Sequence, residues 1–456
     1  MEIVQISSKP AAKRVLIVST YKTRCGMASH SEVMISHLKD EYAIDVFPLD
    51  QFVLRNRDKR ANEAGNRSIF NLCKRLKDYD AVVLQWEPGF WGVTNPQILR
   101  RVKMFCQNVR RLIMINHTVM PEPSILSLSA VRSVAAETGL SSAVTYLKEA
   151  VTGFHSKLYK FFKDVDDRGD LTVLTHTRRD KKFLEMVVGF RDVRDHPLFH
   201  IHAEWRDQLD KDSSAARKEL ESIFGADSIF VSSFGFLTEH KSIDTTINAM
   251  RFLPKNYKLL IYGGVHPNAI KEFELINPYV KTLTSAVTGD VRSIIKYAPL
   301  NTRAGNNNEN IYSTEALRNV AKLNSPIADR VFFMGSPEDY DFAVAIGACD
   351  VAVLPYLEVG QSASGPASQI LELGARLVAT TARPFAEIER YFPGRVTMFD
   401  TGNHLQLATA VQNVLTKPKH KPFSIEPNSN TQREFYVRAI EDTSVKGGGK
   451  LREVAA

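Results

Sequence analysis

Short apolar runs alternate with helix-like segments along this chain, and that alternation constrains its fold more than any other feature. The first half contains four such runs, each with a polar residue or turn at its end: KRVLIVSTY (13–21), DAVVLQWE (80–87), RLIMINHT (111–118) and DLTVLTHT (170–177). A further run, YAIDVFPL (42–49), follows the first helix-like segment. Strands that are buried on both faces of a parallel sheet have such unbroken apolar sequences. The first half is therefore predicted to form a parallel sheet covered by helices on both faces.

The same pattern restarts after a charged, helix-like segment at 210–226. Further strand-like runs follow at 228–236, 257–264, 329–336, 350–356 and 376–381. Since 456 residues are too many for one compact core, we predict an α/β fold of two tandem doubly wound, Rossmann-like domains that face a central cleft. The predicted domains are 1–208 and 209–420, and 421–456 is predicted to form a C-terminal return helix and a flexible tail.

Composition and cysteine usage narrow the class of protein. Hydrophobic residues make up 44% of the chain and charged residues 24%, as in an ordinary soluble globular protein. No apolar run is long enough to cross a bilayer, and the N-terminus lacks the apolar centre of a secretion signal. The four cysteines show no metal-ligand or redox spacing, which fits a reducing compartment. We expect a cytoplasmic protein.

The net charge of +8 is concentrated early in the chain, in basic clusters at 55–60, 73–77, 100–103 and 110–111. Three interpretations compete: a solvated face, a site for anionic lipid headgroups, and a nucleic-acid surface. The solvated face is the default. Nucleic acid is the least favoured partner because no aromatic residues interleave with the charges. Peripheral contact with an anionic membrane from the cytoplasmic side stays open.

Ligands of doubly wound sheets bind at the carboxyl ends of the strands, and this rule selects the candidate residues. In the first domain the selected positions are Arg24, Gly26, Gln85, Glu87, His117 and His176. In the second domain they are Gly235, Lys241, Gly263, Gly335 and the loop that follows the 350–356 run.

Two of these positions suit an anion. Lys241 precedes a helical pattern at 243–250, although a helix start favours negative charge. A bound phosphate would account for the lysine, and so would a side chain that turns to solvent. In the loop, Ser362, Ser364 and Gly365 are small enough for phosphate oxygens to reach backbone N–H groups, or for a tightly packed helix start. Two such helix starts in one sheet favour a diphosphate.

His117 ends a predicted strand, where a neutral imidazole can hydrogen-bond a sugar hydroxyl or a developing charge. A structural hydrogen-bonding role is the alternative for a single histidine at such a position. The sequence contains no Ser-His-Asp order, HExxH motif, Cys/His cluster or Walker-type glycine loop. Hydrolase and kinase chemistry therefore have little support.

Five stretches, taken together and in order, resemble the GT-B glycosyltransferases, in particular family 4, over nearly the whole chain. They are VSTYKTRCGMASHSE, INHTVMP, SFGFLTEHKSIDTTINAM, LLIYGGVHP and ACDVAVLPYLEVGQSASGPASQILELGA. In the last stretch the family usually has two glutamates separated by seven residues, with a proline between them. Pro366 sets the register, which places Gln361 and Gln369 on the two glutamate positions.

The resemblance implies transfer of a sugar, with retention at the anomeric carbon, from a nucleotide-diphosphate donor to a glycan or lipid-linked acceptor. The setting it implies is the synthesis of surface polysaccharide or glycoconjugates. The resemblance implies two catalytic residues: His117 matches the histidine near the transferred sugar, and Lys241 matches the lysine that binds the donor diphosphate. The resemblance also implies no metal and no cofactor, since lysine and helix N-termini take the charge of the leaving diphosphate. Whether the donor carries UDP or GDP stays open.

Further roles follow from the resemblance, residue by residue. The implied donor-binding residues are Gly26, Gly235, Phe236, Lys241, Gly263, Gly335, Gln361, Ser362, Ser364, Gly365 and Gln369. The implied acceptor-side residues are Arg24, Gln85, Glu87 and His176.

The sequence departs from the family at two places. Phe236 occupies a position where the family often has an arginine, so Arg24 or Arg383 would have to supply that charge. The two glutamines can accept hydrogen bonds, although more weakly than carboxylates, and can also donate them. A second hypothesis is therefore a catalytically silent GT-B protein that binds a nucleotide or glycan as a scaffold or regulator. A nucleotide-sugar epimerase of the same fold ranks third, because its acid and base residues have no clear counterparts.

Overall fold

The computed structural model describes residues 1–8, 12–119, 153–266, 276–288 and 327–442, together with the single residues 135, 144 and 147. Contacts between residues divide the chain into two compact units. The first is Met1–His196 with the segment that starts at Asn430, and the second is Pro197–Ser429. The predicted flexible tail at 443–456 lies outside the described residues.

The first unit is built on a sheet of seven strands within the described residues. Its strands are β1 (Val4–Gln5), β2 (Arg14–Ser19), β3 (Ala43–Pro48), β4 (Ala81–Trp86), β5 (Leu112–Asn116), β6 (Leu171–Thr175) and β7 (Val193–Asp195). Their order is β1-β3-β2-β4-β5-β6-β7, and all pairs are parallel except β1 with β3. Every residue of β4, β5 and β6 is buried, which explains their unbroken apolar sequences.

Helices cover both faces of this sheet. They are α1 (Gly26–Leu38), α2 (Gln51–Leu54), α3 (Lys59–Arg75), α4 (Asn95–Asn108), α5 (Phe154–Asp167) and α6 (Arg178–Phe183). Side chains fix several of the helix starts: Asp50 caps α2, Asp58 caps α3, and Thr94 with Gln97 forms a capping box on α4.

A buried arginine ties three of these elements together. Arg101 of α4 is fully buried, and its guanidinium donates to the carbonyl oxygens of Leu54 (3.1 Å) and Trp91 (2.7 Å) and to Asn62 Oδ1 (2.7 Å). Since a buried cation must have its donors satisfied, this arrangement fixes the end of α2 against α3 and α4.

The second unit contains a six-stranded parallel sheet within the described residues. Its strands are β8 (Ile229–Phe234), β9 (Tyr257–Tyr262), β10 (Val331–Gly335), β11 (Val351–Leu354), β12 (Leu377–Thr380) and β13 (Val396–Phe399). The order β10-β9-β8-β11-β12-β13 reverses direction between β8 and β11. This is the topological switch point, where doubly wound sheets bind their ligands.

The helices of the second unit lie between these strands and after them. They are α7 (Arg206–Phe224), α8 (Ile243–Ala249), α9 (Pro278–Thr288), α10 (Asp339–Ala348), α11 (Gly365–Glu372), α12 (Arg383–Tyr391) and α13 (His404–Leu415). α7 begins four residues before the helix-like segment predicted at 210–226. It packs so closely on α10 that a Cβ on Gly347 would overlap Ser213.

The division between the units differs from the predicted boundary at 208. Phe199, Ile201 and Leu209 all belong to the core of the second unit, so this unit already begins at Pro197. The chain returns to the first unit in helix α14 (Ser429–Glu441). Residues 421–429 stay with the second unit, whereas the predicted third segment began at 421.

Two tandem doubly wound units of parallel strands confirm the predicted α/β, Rossmann-like class. No helix in the part of the chain that the structure describes is both long enough and apolar enough to span a bilayer.

Candidate functional site

Three predicted glycines join the carboxyl ends of β8, β9 and β10. The Gly235 N–H donates to Tyr262 O (3.0 Å), and the Gly263 N–H donates to Gly335 O (2.7 Å). Gly235 and Gly335 have positive φ angles of 113° and 83°, which favour glycine. A Cβ on Gly263 would overlap the Gly235 carbonyl oxygen. Only glycine therefore lets these strand ends come so close.

Lys241 lies beside this junction and points inward. It is the last residue of the single-turn helix Glu239–Lys241 between β8 and α8, and only 8% of it is exposed. Its Nζ atom lies 3.5 Å from the centre of the Tyr356 ring, and no carboxylate of a described residue forms an ion pair with it. Burial lowers the pKa of Lys241 to about 7. An unneutralised buried amine is suited to an incoming anion.

The start of helix α11 lies next to Lys241. A Cβ on Gly235 would stand 3.7 Å from Lys241 Cε and 3.9 Å from Pro366 Cγ, so the lysine and the first turn of α11 flank the same glycine. Ser364 caps the helix by accepting from the Ala367 N–H (3.4 Å). A helix start attracts anions through its dipole and its N–H groups. In α11 Pro366 has no N–H, and the N–H groups of Ala367 and Ser368 are bonded to Ser364, so the attraction comes mainly from the helix dipole.

Two aromatic residues complete this region, which we call the lysine site. Tyr356, which is buried, accepts a hydrogen bond from the Ser364 hydroxyl (3.3 Å) and so links Lys241 to the cap of α11. His200 is also buried, and its Nε2 atom would lie 3.2 Å from a Cβ on Gly365. The lysine site therefore comprises Gly235, Lys241, Tyr356, Ser364, Gly365 and His200.

The loop before α11 is held by a carboxylate that the prediction did not single out. Glu358 accepts from the N–H groups of Gly360 (2.7 Å) and Arg383 (2.6 Å), and the Arg383 guanidinium lies 3.7 Å from it. The Gln361 amide donates to Ala363 O at 2.5 Å, within the same loop. The charge of Arg383, suggested above as a substitute for the arginine replaced by Phe236, is thus already paired with Glu358.

The remaining predicted donor residues have different surroundings. Ser362 and Gln369 are both buried, and the Gln369 amide makes no hydrogen bond to a described residue. The Phe236 ring packs against His266 with ring centres 4.6 Å apart. Phe236 therefore contributes an apolar contact at the position where the family often has a cation.

In the first unit, five side chains form a group that we call the histidine cluster: His30, Gln85, His117, His176 and Tyr436. Gln85 is in β4, His117 follows β5 and His176 follows β6, so the three predicted residues meet at the carboxyl edge of the sheet. His30 comes from α1 and Tyr436 from α14. Within the described part of the chain, no three His, Cys, Asp or Glu side chains are arranged to hold a metal ion.

Burial determines the charge of this cluster. His30 and Gln85 are fully buried, whereas His117 is half-buried. Burial, followed by the nearby His30, lowers the pKa of His176 to about 3, so His176 is neutral at physiological pH. Burial also raises the pKa of Tyr436, so its phenol keeps its proton.

Sequence reasoning missed His30 and Tyr436 in the first unit and Tyr356 and His200 in the second. A local signal existed only for His30, because His30 and Met34 share one face of α1 and Met34 is an apolar residue typical of a core. Nothing in the sequence around Tyr436 indicates contact with residues some 400 positions earlier.

Three predicted residues of the first unit lie outside the histidine cluster. Glu87 follows β4 and accepts from the Gly89 N–H (3.4 Å), and burial raises its pKa. Gly26 begins α1 with open space beside it, and Arg24 is exposed in the preceding turn.

Two doubly wound units, with polar clusters at the carboxyl ends of their strands, define the GT-B class of glycosyltransferase fold. Several solved structures of this class are similar to the chain. HepE of Anabaena in complex with UDP has a TM-score of 0.51 and 13% identity, covering 88% of this chain and 90% of HepE. The UDP-forming α,α-trehalose-phosphate synthase of Burkholderia xenovorans in complex with glucose-6-phosphate has a TM-score of 0.58 and 10% identity, covering 94% of this chain and 100% of the synthase. The α,α-trehalose 6-phosphate synthase of Burkholderia multivorans has a TM-score of 0.57 and 10% identity, covering 94% of this chain and 96% of that synthase.

These similarities confirm the predicted GT-B fold, and identities this low show the fold alone. No protein-family model matches the sequence, and comparison with curated proteins gives no match. Membership of family 4 stays a prediction.

Proposed function

We propose that this protein is a retaining, family 4-like glycosyltransferase that moves a sugar from a nucleotide-diphosphate donor to a glycan or lipid-linked acceptor. The observation that carries the proposal is Lys241: a buried amine at the switch point of the second sheet, without an ion pair to a described carboxylate and beside the start of α11. A diphosphate supplies the negative charge that this position lacks.

The proposed chemistry assigns a separate task to each unit. In the second unit, Lys241 and the positive end of the α11 helix dipole stabilise the charge on the leaving diphosphate, so that neither a metal nor a cofactor is required. In the first unit, the half-buried His117 serves the transferred sugar. UDP is the favoured nucleotide, because HepE, which is similar in fold, is in complex with UDP.

Binding of nucleotide sugars tests the donor site directly. Calorimetric titration with UDP-, GDP- and ADP-sugars is expected to give saturable binding, with UDP tightest. Lys241→Met is expected to weaken that binding about 10- to 100-fold, because hydrogen bonds to charged groups contribute about 1.5–3 kcal/mol. Lys255→Met is the matched control, since Lys255 is an exposed lysine of the same unit. If no nucleotide sugar binds at millimolar concentration, the donor site is refuted.

The acceptor is proposed to be presented at an anionic membrane surface on the cytoplasmic side. The supporting observation is the face formed by α2, α3 and the turn between them, where Phe52 is 82% exposed. Five exposed cations lie in the segment that follows it, without an ion pair to a described residue: Arg55, Arg57, Lys59, Arg60 and Arg67. Basic side chains beside an exposed aromatic ring suit anionic headgroups and the acyl boundary beneath them. We call this surface the basic face.

Vesicle sedimentation tests the basic face independently of catalysis. The protein is expected to sediment with phosphatidylglycerol-containing vesicles, to do so less at high salt, and to stay in solution with phosphatidylcholine alone. Replacing Arg57, Arg60 and Arg67 by Gln is expected to abolish sedimentation. The control removes the same charge from the second unit by replacing Lys211, Lys218 and Lys255 by Gln. Equal loss in both variants would point to net charge and against a basic face.

The silent GT-B protein is the second candidate, and the loop before α11 gives it specific support. The Gln361 amide is bonded within its own loop, and neither 361 nor 369 provides a carboxylate. This candidate predicts nucleotide binding without turnover. Mass spectrometry of mixtures of nucleotide sugar and glycan or lipid-linked acceptors separates the two: sugar transfer that is lost in Lys241→Met supports the enzyme, and binding without any product supports the scaffold.

A further inference from the structure

Two arginines lie side by side at the amino-terminal edge of the second sheet, opposite the edge that carries the lysine site. Arg376 immediately precedes β12, and Arg395 immediately precedes β13. The residues that follow them, Leu377 and Val396, are partners in the parallel register of these two strands. Neighbouring strands lie about 4.8 Å apart. Like charges on adjacent strands destabilise a sheet, so this pair of cations is suited to an anion between them.

The Arg376 guanidinium is fixed at the end of helix α13. Its Nε and Nη2 atoms donate to Lys417 O at 2.8 Å and 2.6 Å, and its Nη1 atom donates to Asp350 O at 3.2 Å. These acceptors are backbone carbonyls, which carry only partial negative charge. The Asp350 carboxylate itself is paired with Arg217 at 2.5 Å. The contacts therefore set the direction of the Arg376 guanidinium without neutralising it.

The Arg395 side chain, by contrast, is held by nothing in the described part of the chain. No hydrogen bond or ion pair joins it to a described residue, and yet its Nη1 atom is buried. The carboxylate beside its backbone, that of Glu389, accepts instead from the N–H groups of Gly394 (2.6 Å) and Val396 (3.3 Å). A buried donor without an acceptor costs stability. An acceptor from outside the protein would remove that cost.

His420 lies within reach of both arginine charges. Its backbone N–H donates to Gly374 O (3.1 Å), and a Cβ on Gly374 would overlap the His420 carbonyl oxygen, so this segment packs directly against the start of β12. Burial, followed by the charges of Arg395 and Arg376, lowers the pKa of His420. Its ring is therefore mainly neutral at neutral pH, and it can take up a proton when an anion binds.

We propose that Arg376, Arg395 and His420 form a second anion site, the arginine site, which binds a phosphate group carried by a soluble ester or by a lipid headgroup. Two adjacent guanidinium groups match the several oxygens and the double charge of a phosphate. A phosphate oxygen supplies the acceptor that Arg395 Nη1 lacks. The exposed Lys417 and Lys421 add to the positive field around it. This site does not rest on the proposed function.

Calorimetric titration of the full-length protein with inorganic phosphate, at constant ionic strength, tests the arginine site. The titration uses Lys241→Met, because this variant removes the charge of the other candidate phosphate site. Saturable binding is expected, and adding Arg395→Gln is expected to weaken it at least about tenfold. Adding Lys255→Gln, at an exposed lysine of the same unit, is the control and should change little. Equal binding by the Arg395→Gln and Lys255→Gln proteins would overturn the proposal.

The pKa of His420 is a readout that a merely structural role of the two arginines would not move. A phosphate between the arginines places negative charge near the imidazole, so the pKa of His420 is expected to rise by about one unit or more. Spectra of 15N-labelled histidine, recorded over a range of pH with and without phosphate, measure this change. His420→Gln identifies the signals among the 12 histidines. A His420 pKa that stays the same at saturating phosphate would contradict the arginine site.

Two further ligands distinguish the sources of the phosphate group. Glycerol 3-phosphate represents a soluble ester, and vesicles of phosphatidic acid in phosphatidylcholine represent a lipid headgroup. The vesicle experiment uses the protein in which Arg57, Arg60 and Arg67 are replaced by Gln, because the basic face would otherwise bind the same vesicles. Loss of ester binding in Arg395→Gln assigns a soluble ligand, and loss of sedimentation assigns a lipid. If Arg395→Gln changes neither, the site binds no phosphate ester and the proposal fails, whatever the nucleotide-sugar titrations show.

Discussion

The Nζ atom of Lys241 lies 3.5 Å from the centre of the Tyr356 ring, close enough for the negative face of the ring to attract the ammonium group. The ring holds the lysine in place beside α11, yet it cannot neutralise the charge as a carboxylate would. A carboxylate at this position would compete with any bound diphosphate. An aromatic partner leaves the charge available to a ligand.

The affinity for a UDP-sugar is expected to fall as the pH rises above about 7. Only the protonated amine attracts the diphosphate, and burial lowers the pKa of Lys241 to about 7 in the free protein. Because binding is linked to the protonation of a single group, the affinity falls by at most about tenfold per pH unit. Calorimetric titrations with a UDP-sugar at several pH values measure this fall in affinity. The charge of the diphosphate is constant over this range, so the pH dependence reports on the protein. Lys241→Met should give weak binding with a flat profile, and a wild-type profile equally flat would contradict the role of Lys241.

The free energy of unfolding is expected to carry a matching pH dependence. Because the pKa of Lys241 is lowered in the folded state, the unfolded chain binds more protons between about pH 7 and the ordinary lysine pKa of 10.5. In this window Lys241 makes stability rise with pH, by up to about 1.4 kcal/mol per unit. Urea unfolding of wild type and Lys241→Met at several pH values should show the difference growing in favour of the wild type. A constant difference would argue that Lys241 stays charged.

Replacing Tyr356 separates the ring from its hydroxyl. Tyr356→Phe keeps the cation–π contact and loses the hydrogen bond with Ser364, so UDP-sugar affinity is expected to change by less than about threefold. Tyr356→Leu removes the ring, and an expected loss of about 5- to 30-fold follows from the 1–2 kcal/mol typical of a desolvated cation–π pair. Calorimetric titration measures both variants. Equal affinities for Phe and Leu would show that the ring does not position Lys241.

Gly263→Ala is expected to lower the free energy of unfolding by about 1–3 kcal/mol, because its Cβ would overlap the Gly235 carbonyl oxygen. Gly26→Ala is the matched control, since nothing lies within 4 Å of its Cβ position, and it is expected to be neutral or slightly stabilising. Urea unfolding curves of the two variants test this contrast. Similar losses of stability in both variants would show that the effect comes from replacing glycine in the backbone and not from the overlap between strand ends.

The fold was predictable because its central strands are buried on both faces. Each apolar run of the sequence corresponds to a strand, from β2 to β12. Three strands were missed: β1, with two residues, β7, with the sequence VRD, and β13, with the sequence VTMF. All three are short, and their few buried residues give too little hydrophobic pattern to predict a strand.

The candidate site was predictable only in part, because its residues meet through the chain's topology. Gln85, His117 and His176 were found since parallel strands end at one edge. The inward direction of Lys241 was not readable, because it depends on Ser242, whose positive φ of 46° ends the turn before α8. Tyr356 could be assigned to a strand end but not to Lys241, since that contact depends on side-chain packing.

Helix α14 has a consequence for how the protein is made. Its residues Tyr436, Ala439 and Ile440 pack into the core of the first unit, against strand residues such as Val15 and Ile17 that are synthesised long before them. The second unit, by contrast, is complete once Ser429 has been synthesised. The first unit must therefore wait with one face of its core unfinished until α14 has been synthesised, after the whole of the second unit, so the unit that begins first is completed last.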